Sequence, residues 1–449
     1  MWTVPGTRRK GIARGAKLAR LPMSIMAKRA AALGSRIVTG AERGEVDERL
    51  MAEAADQVFT VLGELKGGAM KVGQALSVME AAVPPQFADR YREALVKLQA
   101  EAPPMSSADT ERMLVRQLGT RWRERFREFD STPVAAASIG QVHRGVWSDG
   151  RTVAVKVQYP HAEESLKADL AMLKMFSSVF TLVMPGADIR ELIEEFIDRT
   201  HDELDYRIEC DYQRRFAAAL GPDDPKFYAP KVIASAPKVM VTEWMDGVPL
   251  SKVITAGSRE DRDRAGILLW ELAVSSPKRF GMLHCDPHPG NFRLLPDGRL
   301  GILDFGACTE TPRGLPPFLG ETARHLLAED FDKAVEVVRE SGFVKEGARV
   351  DIGPLRRTLG PLVSLLQDEE FHMTRQVLQE HAQRAMDVRN FSLTNALAFK
   401  GTPEYPEMPM IGRVLGGVAG ICAQLDTKGP FLALTREWVP GFVAEGSAA

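Results

Sequence analysis

Cysteine is scarce in this sequence. Only Cys210, Cys285, Cys308 and Cys422 occur in 449 residues, and no two form a C-x-x-C pair. A zinc ribbon and a disulfide framework are therefore excluded, and free thiols in a reducing compartment are the default. Long hydrophobic runs are missing as well. Stretches such as Val414–Leu425 stop well short of the roughly 18–20 residues that span a bilayer. The first segment has no apolar core of a secretory signal, because Arg and Lys recur throughout it. A strong excess of one charge is absent too. The net charge of −2 argues against a wholesale nucleic-acid binder. These absences together lead to the expectation of a cytoplasmic protein.

What is present is ordinary globular material, 45% hydrophobic and 26% charged. The length allows two or three domains, or one two-lobed unit. Residues 1–45 stand apart. Over residues 1–43, Arg8, Arg9, Lys10, Arg14, Lys17, Arg20, Lys28, Arg29, Arg36 and Arg43 face Glu42 alone. This segment is either a solvated tail or a surface that meets anionic lipid on the inner face of a membrane. In the second case Leu18, Leu21, Met23, Ile25 and Met26 dip inward, and each basic group contributes about 1 kcal/mol.

Residues 46–125 carry helical periodicity, for example Leu50, Ala54, Val58, Val61, Leu62 and Leu65. The texture changes near residue 126. "QVHRGVWSDGRTVAVKVQYP" holds two β-rich runs joined by Ser-Asp-Gly-Arg, a hairpin signal. Helical patterns follow at 161–183 and 189–219, then two strand-like runs, "PKVIASA" and "PKVMVTEWM". From 248 to 449 helices dominate, broken by a second Asp-Gly hairpin in "NFRLLPDGRLGILDFG". The expected order is a basic segment (1–45), a helical extension (46–125), a small β-rich lobe with inserted helices (126–247) and a mostly helical lobe (248–449). A cleft between two such lobes is a common ligand site.

Chemistry concentrates in "HCDPHPGNF". His284, Asp286 and Asn291 have the spacing H-x-D-x-x-x-x-N of a kinase catalytic loop. Asp304–Phe305–Gly306 follows at the end of the second hairpin. Asn291 and Asp304 offer oxygen ligands for Mg²⁺ on a nucleotide triphosphate, and Asp286 can orient a nucleophile or take its proton. "VAVK" places Lys156 on the second strand of the first hairpin, where an ammonium group can pair with α- and β-phosphate oxygens. That lysine needs a carboxylate, and the helix at 189–219 carries Glu203, Asp205 and Glu209. Asp205 and Glu209 share a face, while Glu203 lies about 120° around from Glu209. The phosphate loop is unusual. Ala135 and Ala137 stand where a kinase has glycines, although Gly140 and Val142 keep their places. Alanine restricts positive φ and close backbone approach, so this loop should be stiffer.

These residues resemble the UbiB/AarF family of atypical kinase-like proteins, linked to ubiquinone and other isoprenoid-lipid metabolism. "KVGQ" (Lys71–Gln74) is similar to the family's K-x-G-Q motif, "AAAS" (135–138) to its alanine-rich loop and "ELD" (203–205) to its E-x-D motif. Glu209 takes the place of the kinase glutamate, and "HCDPHPGN" and "DFGA" complete the set. The resemblance implies an α+β, two-lobed protein-kinase-like fold, with a helical N-terminal extension packed over the active-site cleft. It implies Mg²⁺ with ATP or ADP as cofactors. The nucleotide site would take Ala135, Ala136, Ala137, Ser138, Ile139, Gly140, Lys156, Glu243, Met245, Asn291 and Asp304. Asp286, Lys156 and Glu209 would be catalytic, and Lys71, Gln74, Glu203 and Asp205 regulatory. An isoprenoid or quinone-like lipid and an anionic membrane surface would be partners, with no nucleic acid. The oligomeric state is open.

Three activities fit the pattern: an ATPase or small-molecule kinase coupled to lipids, a nucleotide-gated binding module, and a protein kinase. The last is disfavoured, because no A-P-E or activation segment follows Asp304. His284 and His288 lack a nearby third ligand for zinc. Cys285 reads as a small packed hydrophobe or, beside the active loop, a redox-sensitive thiol. The stiffness argument makes Ala137→Gly informative. It should shift nucleotide preference or raise autophosphorylation, measured by nucleotide titration and phosphate incorporation, and a silent variant would remove the argument.

Overall fold

The computed structural model describes residues 104–137, 139–167, 170–171, 174, 204–386 and 392–443. The helices expected between 46 and 103, and the basic segment before them, lie outside these residues. The chain divides into two compact units. The first runs to Tyr206 and also takes Ala234–Val241, whereas the second holds Arg207–Ile233 and everything from Thr242. The division does not coincide with residue 247. Phe216, Leu220, Phe227 and Ala229 are part of the apolar core of the second unit, and they carry their segment with them.

In the first unit, helix α1 (Ser107–Leu118) starts at Ser106, whose Oγ accepts from the Asp109 N–H. Thr110, Met113, Leu114 and Leu118 make its buried stripe, and Gly119 at φ 92° ends it. Strands β1 (Phe126–Phe129), β2 (Ala135–Ala137), β3 (Gly140–Trp147) and β4 (Thr152–Gln158) follow. Further along come α2 (Tyr206–Leu220), β5 (Phe227–Tyr228), β6 (Val232–Ala236) and β7 (Val239–Glu243). Among the described residues, a six-stranded sheet runs in the order β1-β3-β4-β7-β6, with β2 also paired to β3. The β3–β4 hairpin forms at the Ser-Asp-Gly-Arg signal, where Gly150 takes φ 96° and the Trp147 N–H donates to the Arg151 carbonyl at 2.8 Å. β4 alternates: Val153, Val155 and Val157 are fully buried, and Lys156 projects from the other face. Trp122, Phe126, Phe129 and Trp147 close the end of this sheet edge to face.

The second unit continues with β8 (Val248–Pro249), α3 (Leu250–Ala256), α4 (Arg259–Phe280), β9 (Met282–His284), β10 (Phe292–Leu294), β11 (Leu300–Ile302) and β12 (Cys308–Glu310). Then come α5 (Phe318–Leu327), α6 (Phe331–Glu340), α7 (Ile352–Leu366), β13 (Phe371–Met373), α8 (Arg375–Met386), α9 (Leu393–Ala398), α10 (Met408–Leu425), β14 (Thr427–Gly429) and α11 (Phe431–Trp438). Ser258 caps α4, and Gly281 stops it in the left-handed region. The second Asp-Gly hairpin forms between β10 and β11, with Gly298 at φ 81°. A four-stranded sheet has the order β5-β11-β10-β8, and β9 pairs separately with β12.

Helix α10 is apolar and 18 residues long. Among the described residues it is the one helix long and apolar enough to cross a membrane, with a mean hydropathy of 1.3. Its Val414, Val418 and Cys422 join the core, and the Cys422 Sγ lies 3.4 Å from the Gly266 carbonyl of α4. Core packing therefore accounts for its composition.

A polar pin holds α1 to β3. The Met105 N–H donates to Gln141 Oε1 at 2.9 Å, which orients that amide, and Gln141 Nε2 lies 2.9 Å from His143 Nε2. His143 Nδ1 lies 2.9 Å from the Asp130 carbonyl. Nδ1 must therefore carry the hydrogen, and the buried ring is neutral. Burial holds the His143 pKa below its usual 6.5, with the Asp130 carbonyl opposing. The stability this contributes is present above the unfolded pKa and is lost as pH falls through the lower folded value. Denaturant midpoints taken from pH 8 to pH 5 should fall on acidification, and His143→Gln should flatten that slope. An unchanged slope would mean that the ring is not held neutral.

Candidate active site

The second unit assembles the catalytic-loop residues around backbone pairing. β9 and β12 run antiparallel, with His284 opposite Cys308, and the ladder continues as the Cys285 N–H donates to the Ala307 carbonyl at 2.7 Å. The "HCDPHPGN" and "DFGA" segments are thus neighbours by strand pairing. His284 is buried against Phe292 and Phe305, and its Nε2–H donates to the Asp304 carbonyl at 2.6 Å. That ring is a brace for the Asp304 backbone. His288 is exposed, and its Nδ1 accepts from the Gly290 N–H at 3.1 Å.

Asp286, Asn291 and Asp304 are brought together. Asn291 Nδ2 donates to Asp286 Oδ2 at 2.9 Å and to the Asp286 carbonyl at 3.1 Å. The Asn291 carbonyl accepts from the Leu303 N–H at 2.9 Å, one residue before Asp304. With its amide nitrogen committed to Asp286, Asn291 keeps Oδ1 as its side-chain acceptor. Asp304 Oδ1 accepts from the Gly306 N–H at 2.9 Å, which holds the carboxylate over its own turn. Such oxygens are the hard donors that Mg²⁺ prefers. Phe305 is fully buried and packs on Phe216 of α2, with ring centroids 5.2 Å apart. Glu209, two turns earlier on α2, is buried too. Burial pushes the Cys308 thiol well above its usual range, and Cys285, Asp304 and Glu209 push it further. Cys308 therefore stays a protonated thiol beside a cluster of negative charge. Cys285 is buried and donates to the Leu283 carbonyl at 3.3 Å, as a packed small residue does.

In the first unit the alanine-rich segment is a strand rather than an open loop. Ala135, Ala136 and Ala137 pair with Val142, Gln141 and Gly140, and Ser138 lies outside the described residues. Ile139 is buried. No alanine here adopts positive φ. Gly140 is needed for space, since a Cβ there would collide with the Val157 carbonyl. Val142 is also opposite Lys156, so Ala135, Val142 and Lys156 share one face across three strands.

The remaining candidates have defined places. The Glu243 carboxylate accepts from the Tyr228 hydroxyl at 3.1 Å and the Lys231 N–H at 3.2 Å. Burial, and then the Glu243 charge, push the Tyr228 hydroxyl up to about 12. The Glu243 side chain is thus engaged within the protein. Met245 is buried with its thioether against Gly301 of β11, on the approach to Asp304. Asp205 is partly exposed just ahead of α2. Lys71, Gln74 and Glu203 lie outside the described residues, as does the packing expected of the K-x-G-Q extension.

Sequence reading missed the support from α10. Arg413 donates to the Cys285 carbonyl at 3.4 Å. Gly417 lies so close to Pro287 that a Cβ would sit 2.7 Å from its Cγ. Both are more than a hundred residues from the loop, and neither belongs to a motif.

A family model described as the ABC1 atypical kinase-like domain matches residues 97–338. That is more than half of the chain. The chain belongs to this family. The UbiB/AarF resemblance and the α+β kinase-like fold therefore stand. Among relatives, the atypical kinase COQ8B, mitochondrial, of Danio rerio is 32% identical over 61% of this chain and 44% of its own length. The uncharacterized protein slr0889 of Synechocystis is 34% identical over 55% of this chain and 63% of its own. The chain spans about half the length of the curated relatives it matches. The solved structure of the Rv3197–erythromycin complex from Mycobacterium tuberculosis is 47% identical, covers 89% of this chain and 99% of that one, and has a TM-score of 0.68.

Within this family member, the α10 buttress makes a sharp contrast between adjacent glycines. A Cβ at Gly416 meets open space, whereas one at Gly417 meets Pro287. Gly416→Ala should stabilise by about 0.5–1 kcal/mol through helix propensity. Gly417→Ala should destabilise by about 1–3 kcal/mol through overpacking. Denaturant unfolding checks both, and equal effects would show that Pro287 yields freely.

Proposed function

We propose that this chain is an ATP-using atypical kinase or ATPase that serves isoprenoid or quinone-lipid chemistry at a membrane surface. The observation that carries the reading is the joining of Asp286, Asn291 and the Asp304 loop through the Asn291 amide and carbonyl. Asn291 Oδ1 and Asp304 would hold Mg²⁺, which when bound neutralises the charge of the phosphate oxygens. Asp286 would orient an acceptor hydroxyl or water, or take its proton. Lys156 is the residue for the α- and β-phosphate oxygens. The lipid role is drawn from the family, and the basic first segment supports an anionic surface as the place of action. Lys71, Gln74, Glu203 and Asp205 would regulate access.

A second reading has its own support. The 47% identical relative was solved with erythromycin, a bulky, largely apolar macrolide. On that reading nucleotide gates the capture of a large ligand, with little phosphoryl transfer.

One experiment separates the two. ATP turnover by purified protein is measured with and without anionic liposomes and an isoprenoid-phenol mimic, beside erythromycin titration. Under the first reading Asp286→Asn loses turnover about 10²-fold or more while it retains MgATP binding, and Asp304→Asn loses Mg-dependent ATP binding with the fold intact. Erythromycin binding without turnover would favour the second. Unchanged MgATP affinity in Asp304→Asn would overturn the metal assignment.

A further inference from the structure

Tyr206 follows the E-x-D segment and carries no role in the reading above. It is nonetheless almost fully buried, at 1% exposure. Its place is fixed from several directions within the first unit. Its backbone N–H donates to the Pro237 carbonyl at 2.9 Å. Two residues earlier, the Leu204 carbonyl accepts from Gln158 Nε2 at 3.3 Å, which ties the segment to β4. Its hydroxyl lies 3.0 Å from where a Cβ on Gly140 would sit. Its ring lies under Lys156, with Nζ 5.0 Å from the ring centroid.

The last two observations agree. Strand pairing sets Gly140 opposite both Ala137 and Gln158, and Val142 opposite both Ala135 and Lys156. Directly opposed residues share a face, and so do residues two apart on a strand. Ala135, Ala137, Gly140 and Lys156 therefore point to the same side of the sheet. Tyr206 lies along that side, its hydroxyl at the glycine and its ring at the lysine. A substituent at Gly140 would press on this hydroxyl as well as on the Val157 carbonyl.

We propose that Tyr206 is a positioning residue for Lys156: its ring forms a platform that holds the ammonium group above the alanine hairpin, aimed for phosphate. The inference rests on the reading of Lys156 as the phosphate lysine. A lysine side chain has four rotatable bonds and a compact, strongly hydrated charge. An aromatic face within about 6 Å attracts that charge through the ring quadrupole, and more strongly where water is excluded. The ring cannot accept a proton or compete as an anion, so it restrains the lysine without neutralising it. In a hairpin with alanines at 135 and 137 where a kinase has glycines, this fixes the cation relative to a stiff backbone edge.

The test is a MgATP titration, carried to millimolar nucleotide, of the full chain and its variants, with the thermal midpoint of each measured without nucleotide. Tyr206→Leu removes the ring and should weaken MgATP about tenfold, within the range of a desolvated cation–π contact. Tyr206→Phe keeps the ring and should recover most of that loss. In a Lys156→Met background, Tyr206→Leu should cost less than about twofold, because the coupled partner is gone. A purely structural tyrosine would lower the thermal midpoint in both backgrounds and show no such coupling. If wild type binds MgATP and Tyr206→Leu binds equally well, this inference falls and the nucleotide reading survives. If Tyr206→Phe is as weak as Tyr206→Leu, the ring is not the platform and the inference falls. Absence of MgATP binding by wild type overturns the nucleotide reading and this inference with it.

Discussion

The Asn291 side chain and backbone tie together two loops that the chain otherwise separates. The amide nitrogen donates twice to Asp286, and the carbonyl accepts from the residue preceding Asp304. Two acidic side chains are thereby held in register by groups that carry no charge of their own. The arrangement also decides orientation, since an amide whose nitrogen is committed offers its oxygen elsewhere. His284 adds a second brace by bonding the Asp304 carbonyl, and Phe305 locks the turn into the core beside Phe216. The chemistry of the loop therefore depends on neutral hydrogen bonds and packing at least as much as on the carboxylates.

The alanine-rich segment shows how composition alters a hairpin. A glycine-rich version gains freedom from positive φ and from the absence of a side chain. Here β2 is paired residue by residue with β3, and its alanines take ordinary extended geometry. Stiffness thus arises from strand pairing as well as from the methyl groups. The surviving Gly140 is a matter of clearance, from the β4 backbone and from the Tyr206 hydroxyl.

The core of the second unit extends well past the part of the chain matched by the family model. Helix α10 supplies Val414, Val418 and Cys422 to the same core that contains Cys285 and Phe305. Its Arg413 and Gly417 touch the catalytic loop directly. An apolar helix of membrane-spanning length is here a wall of the active loop.

Both Asp-Gly hairpins, the mostly helical character of residues 248–449 and the kinase-like spacing of His284, Asp286, Asn291 and Asp304 were legible in the sequence. Each is a local signal, set by turn chemistry, helical periodicity or a short motif. The strand character of Ala135–Ala137, the engagement of Glu243 by Tyr228, and the roles of Tyr206, Arg413 and Gly417 were not legible. They depend on which surfaces meet after the chain has folded, and residues far apart in sequence leave no local mark of such a meeting. The order of residues was enough to mark which side chains could do phosphate and metal chemistry. Which of them are braced, which are already engaged and which unremarkable neighbours hold them followed from folding, because burial and hydrogen-bond partners are properties of packed surfaces.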